Sequence, residues 1–178
     1  MPLHVSPSTC NGLIRRSIDL RRLYRHAAAA CEPGLRVVLN ENVQSLDRLE
    51  LADALDRRLQ QECRAIDVLV QVKTSSEAAK SGLPPEQLGV FLGALRNHHS
   101  LRVRGLMTMA THTGEPAEVR RCFDLLRELR DRSMEQGHDL SRLSMGMSGD
   151  FPLAVAAGAT EVRIGTAIFG RRSPVNGQ

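Results

Sequence analysis

Four short, mostly apolar runs spaced by helix-length segments constrain this chain more than any other feature. They are 67–72 (DVLVQV), 101–109 (LRVRGLMTM), 141–146 (SRLSMG) and 161–164 (EVRI). Runs of this length and composition read as strands buried on both faces. Helical patterns fill the gaps. Residues 84–95 open with Pro84-Pro85, which suits a first helical turn. Residues 115–136 put Val119, Cys122, Leu126 and Leu129 on one face with Arg and Glu opposite, and Gly137 ends them. Residues 152–157 again begin with proline. Upstream, 43–61 reads as a helix after a short extended start, with Leu46, Leu49, Leu55 and Leu59 at helical spacing. Strand and helix in alternation mean a parallel sheet covered by helices, an α/β fold.

The last two strands end in anion-sized sites. The first breaks at Met147-Ser148-Gly149-Asp150, with a helix expected from about Pro152. The second breaks at Gly165-Thr166. Each offers backbone N–H groups, a small hydroxyl side chain and a glycine for close approach. In a β/α barrel the loops after the last two strands are the common phosphate site. A phosphorylated small molecule is the expected ligand.

The motifs SMGMSGDF (144–151), AVAAGAT (154–160) and VRIGTAIFGRR (162–172) resemble the end of the pyridoxal phosphate homeostasis proteins. That family is related to the N-terminal barrel domain of alanine racemases. The likeness runs back through 101–110 and 67–88 to VQSLDRLELADAL (43–55). It implies a partial (β/α)8 TIM-type barrel, alanine racemase N-terminal-domain-like, lacking the first strands. The expected organisation is an atypical N-terminal segment (1–40), a partial barrel that binds pyridoxal 5′-phosphate (PLP) (41–173) and a tail (174–178). Family members carry a Schiff-base lysine in a segment like SKTKP at the end of the first strand. No such segment occurs in this sequence, which in family terms opens just before the fourth strand.

The resemblance also implies roles. Ser148, Gly165 and Thr166 would hold the cofactor's phosphate, and Arg163 would face its pyridine nitrogen. A guanidinium there keeps that nitrogen unprotonated and weakens the ring as an electron sink. Met147 would be pocket wall, and Met145 core or wall. Plainer readings stand beside these: an ion pair of Arg163 with Asp150 or Glu161, a turn glycine at 165, and a helix N-cap at Ser148. No catalytic residue and no metal ligand is expected. The chain has two lysines, Lys73 and Lys80. Lys73, at the end of the 67–72 strand, reads as an exposed rim lysine, with a replacement amine as the alternative. Lys80 reads as a charge near the pocket mouth, and His112 as a solvated rim histidine.

Composition narrows the function classes. Net charge is +4, but residues 1–36 hold six arginines against two acids, and the remainder is balanced. A neutral body with four Phe, one Tyr and no Trp does not suit a nucleic-acid surface. No run approaches the ~18 apolar residues of a membrane span, and no apolar signal region follows the start. The Arg-rich opening has the composition of an organelle transit peptide, but composition alone does not establish one. Cys10, Cys31, Cys63 and Cys122 match no disulfide or zinc spacing and read as free thiols of a reducing cytosol. The expected function is cytoplasmic PLP carriage and homeostasis without an established turnover reaction. The expected state is a monomer, or weak self-association through open sheet edges. A non-binding truncated fragment or partner module of the same fold and an amino-acid racemase-like PLP enzyme are the alternatives.

Overall fold

The computed structural model describes residues 42–113 and 115–170. The expectations for 1–40 and for the tail 174–178 lie outside them. Five strands follow one another: β1 (Asn42–Leu46), β2 (Ile66–Gln71), β3 (Leu101–Met107), β4 (Arg142–Met147) and β5 (Glu161–Arg163). The helices are α1 (Leu49–Gln61), α2 (Leu88–Leu95), α3 (Pro116–Glu135), α4 (Phe151–Ala156) and α5 (Thr166–Phe169). A 3-10 turn, Pro85–Gln87, leads into α2.

The sheet order is β1-β2-β3-β4-β5 and every pairing is parallel. Parallel neighbours need a crossover each, and crossovers of one hand put their helices on one side. A doubly wound sheet reverses its strand order; this one does not, so it curls as an arc of a β/α barrel. The curl brings the two edge strands within side-chain reach. Gln44 of β1 donates from Nε2 to Glu161 Oε2 of β5 at 2.9 Å, across 117 residues of sequence.

The core lies between the sheet and the helices. Val68, Val70, Leu106, Leu143 and Met145 are fully buried from the strands, and Phe123 and Leu126 from α3. The face Val119, Cys122, Leu126 is buried as the periodicity requires. Gly137 stops α3 at φ +86, with His138 N–H donating to Ser133 O and Gly137 N–H to Met134 O. That double closure is the Schellman arrangement, and its left-handed residue favours glycine.

Some elements differ from the sequence reading. Leu46 belongs to strand β1, and Leu49 opens α1 half-exposed. The face α1 buries is Ala52, Asp56 and Leu59. Asp56 can sit there because Ser100 N–H (2.8 Å) and Gln60 Nε2 (2.6 Å) donate to its two oxygens. The segment 84–95 divides into the 3-10 turn and α2. Strand β5 ends at Arg163, one residue early, and α5 was not anticipated.

Candidate cofactor site

The carboxyl ends of β4 and β5 form one rim because of Gly146. Its φ is +91, and a Cβ there would lie 2.5 Å from the Ala154 Cβ and 3.1 Å from the Phe151 Cα. Only glycine lets α4 fold back this tightly against β4. The intervening loop is closed by Asp150, whose carboxylate accepts the Met147 N–H while its own N–H donates to Met147 O at 3.1 Å. Asp150, not Ser148, occupies the helix N-cap position.

Ser148 is thereby directed toward β5. Its hydroxyl oxygen accepts the Gly165 N–H at 3.2 Å, so the two strand-end loops are stitched together. Thr166 is exposed at the start of α5. Met147 is half-exposed at the end of β4, while Met145 is core. Gly165 has no positive φ, and a Cβ on it would meet nothing within 4 Å. Among the described residues neither local backbone nor packing demands glycine at 165.

Arg163, half-buried at the end of β5, reaches across two strands. Nη1 donates to Ser144 O (3.2 Å) and Ser144 Oγ (2.7 Å), and Nη2 to Thr108 O (2.8 Å). Its hydrogen bonds among the described residues go to neutral oxygens. Glu161 is instead paired with Arg142. Burial pushes the Arg163 pKa down, opposed by the fields of Asp150 and Glu161, and the group stays cationic. Ser144 and Gln44 were not singled out in the sequence. The signal for Ser144 was a hydroxyl in an otherwise apolar strand, which must find a partner when buried.

The loops after β2 and β3 close on each other through hydroxyls. Thr74 pairs with Thr108 at 2.8 Å and Ser75 with Thr111 at 3.0 Å, above the Cys122 thiol. The lysines serve these loops: Lys73 Nζ donates to Ala78 O at 3.2 Å, and Lys80 Nζ to Ala110 O at 2.9 Å. The His112 N–H donates to Glu77. Among the described residues no His/Cys/Asp/Glu cluster could hold a metal ion, and no helix is long and apolar enough to cross a membrane. Cys63 is exposed and Cys122 buried, both free; Cys10 and Cys31 lie outside the described residues. A shallow groove of about 540 Å³ between α1 and α2 contains none of the rim residues.

A parallel arc of this strand order is part of a β/α barrel. The chain belongs to the family of the alanine racemase N-terminal domain, whose profile matches residues 13–173. Within it, the chain is similar to the pyridoxal phosphate homeostasis protein of Aquifex aeolicus, 42% identical over 131 residues, covering 73% of this chain and 58% of the relative. The Pseudomonas aeruginosa homologue is 42% identical over 130 residues, covering 73% and 55%. Among solved structures, PipY of Synechococcus elongatus without PLP superposes with a TM-score of 0.69 at 36% identity. PipY with PLP bound gives 0.65 at 35%; both cover 73% of this chain and 61% of PipY. The chain thus spans a little over half the length of the curated relatives it matches.

Proposed function

We propose that this chain binds PLP at the β4–β5 rim and serves intracellular PLP homeostasis in the cytoplasm. The observation that carries the reading is the Ser148–Gly165 hydrogen bond, which gathers two glycine- and hydroxyl-bearing strand ends into one cup. In that cup Ser148 and Thr166 hold the phosphate through hydroxyl and backbone donors, and Gly165, whose N–H is taken by Ser148 Oγ, gives it room to approach. Met147 walls the ring, and Arg163 faces the pyridine nitrogen from its anchorage on Ser144 and Thr108. The space beside Gly165, open among the described residues, fits a phosphate approaching the backbone. When bound, PLP supplies a reactive aldehyde and an electron-withdrawing ring. The protein's part is to hold the phosphate and ring, and the chemistry proposed is carriage, not turnover. The ligand is a small molecule, not nucleic acid or membrane. The chain is monomeric or associates weakly through the outer edges of β1 and β5, which pair with no further strand among the described residues.

Calorimetry with PLP, pyridoxal and inorganic phosphate tests this. PLP should bind, pyridoxal much more weakly, and phosphate should compete with PLP. Equal affinity for PLP and pyridoxal would overturn the assignment of the cup.

A further inference from the structure

A hydrogen-bond relay runs from the opposite edge of the sheet to Arg163, and its polarity is fixed. Ser144 is fully buried on β4, so its single hydroxyl proton must be used. That proton goes to Gln44 Oε1 at 2.7 Å. The hydroxyl lone pairs are then left for Arg163 Nη1, also at 2.7 Å. Gln44 cannot be turned the other way round. Its second partner is Glu161, whose carboxylate only accepts, so Nε2 faces Glu161 and Oε1 faces Ser144. Glu161 in turn is held by Arg142 through its other oxygen.

We propose that Gln44, on edge strand β1, is a positioning residue for Arg163: by holding the Ser144 hydroxyl proton it presents only acceptors to the guanidinium and fixes its plane. This rests on the reading of the rim as a PLP site. A guanidinium has five N–H donors. The acceptors on Ser144 and Thr108 hold one side of it, and the rest of the fork faces the heteroaromatic ring nitrogen of a phosphorylated pyridine. Without the Gln44 carbonyl, the Ser144 proton turns freely, at times toward the cation it should support. The same relay ties β1 to β5 across the arc, so the contact between the edge strands and the alignment of the guanidinium meet at one side chain.

The test is Gln44→Met, which keeps length and removes both hydrogen bonds, in the full chain. Three probes are titrated: PLP, a deaza analogue with carbon in place of the ring nitrogen, and inorganic phosphate. The substitution should weaken PLP about tenfold, the scale of one hydrogen bond to a charged group, and leave the analogue and phosphate unchanged. An unchanged PLP affinity, or equal losses for all three probes, overturns the proposal. Ser144→Ala should reproduce the pattern and carries the test if Gln44→Met does not fold. A second readout needs no cofactor. The Arg163 Nη1–H resonance, slowed by Ser144 Oγ in the wild type, should exchange faster in both variants while the Nη2–H on Thr108 O is kept; an unchanged Nη1–H overturns the relay. If the wild type binds neither PLP nor phosphate, the cofactor reading fails on its own, and the Nη resonances alone decide whether Gln44 aligns Arg163.

Discussion

A valine at position 165 would touch none of the described residues with its Cβ and would need no unusual backbone, so its effect reports on the ligand. Gly165→Val should leave the melting temperature essentially unchanged and weaken PLP at least roughly tenfold, about 1.4 kcal/mol. Equal loss of melting temperature and affinity would make Gly165 a folding residue instead. The lysines bear on the same site. Lys73 Nζ is engaged by Ala78 O, and Lys80 Nζ by Ala110 O with Glu77 at 3.8 Å. To attack an aldehyde either must give up its partner, its hydration and a proton. Borohydride reduction of the PLP-saturated chain should therefore leave no stoichiometric pyridoxyl adduct on either residue, read by peptide mass spectrometry. A full-occupancy adduct on Lys73 would show that its loop rearranges. Ser148, Gly165 and Arg163 were legible because each stands in a short local motif at a strand end. Gln44 and Ser144 were not. They are 100 residues apart, and only the curl of the sheet makes them neighbours.

At the scale of elements, α3 is held to the sheet by a buried apolar face. Its Phe123 is fully buried, and Phe123→Ala should cost about 3–5 kcal/mol in urea unfolding. Gly146→Ala tests the β4–α4 return differently. A methyl there collides with Ala154 and forces a left-handed φ on alanine, for roughly 2–4 kcal/mol by strain and overpacking. It should also displace Ser148 from Gly165, so stability and PLP affinity fall together, unlike Gly165→Val. A variant as stable as the wild type would mean that α4 shifts freely on β4. The α3 helix was legible because its apolar face repeats over many turns and a glycine ends it. The start of α1 was not, because Leu46 and Leu49 keep helical spacing across a strand-to-helix boundary. Periodicity cannot show that break; pairing of Asn42 and Val43 with β2 makes it. The buried Asp56 was likewise hidden, since its partners Ser100 and Gln60 are set by how α1 packs.

At the scale of the whole molecule, two groups near the amino ends of the strands answer to pH in different windows. The amino ends of β2, β3 and β4 carry a charge cluster in which Asp67 meets Arg102 at 2.7 Å, Arg142 at 3.7 Å and Arg104 at 3.8 Å. The hydrogen bond from Arg102 is the largest influence, and with the fields of the three arginines it holds Asp67 below the ordinary carboxylate pKa against a desolvation that raises it. A depressed folded pKa stabilises the fold above the unfolded value, about 3.9. That contribution is lost as pH falls below it and through the folded value. His138 acts in a higher window. Burial first, and Arg96 second, lower its pKa below the ordinary 6.5. The unfolded chain therefore takes up that proton before the folded one does. Stability falls as pH drops below about 6.5 toward the folded value. The melting temperature should thus decline in two stages on acidification. His138→Gln should flatten the upper stage and Asp67→Asn the lower, each leaving the other in place. Since Asp67 is a third exposed, added salt should shrink the lower stage. The His138 stage arises mainly from desolvation and should persist in salt. A single stage removed by neither substitution would place the acid sensitivity in other groups.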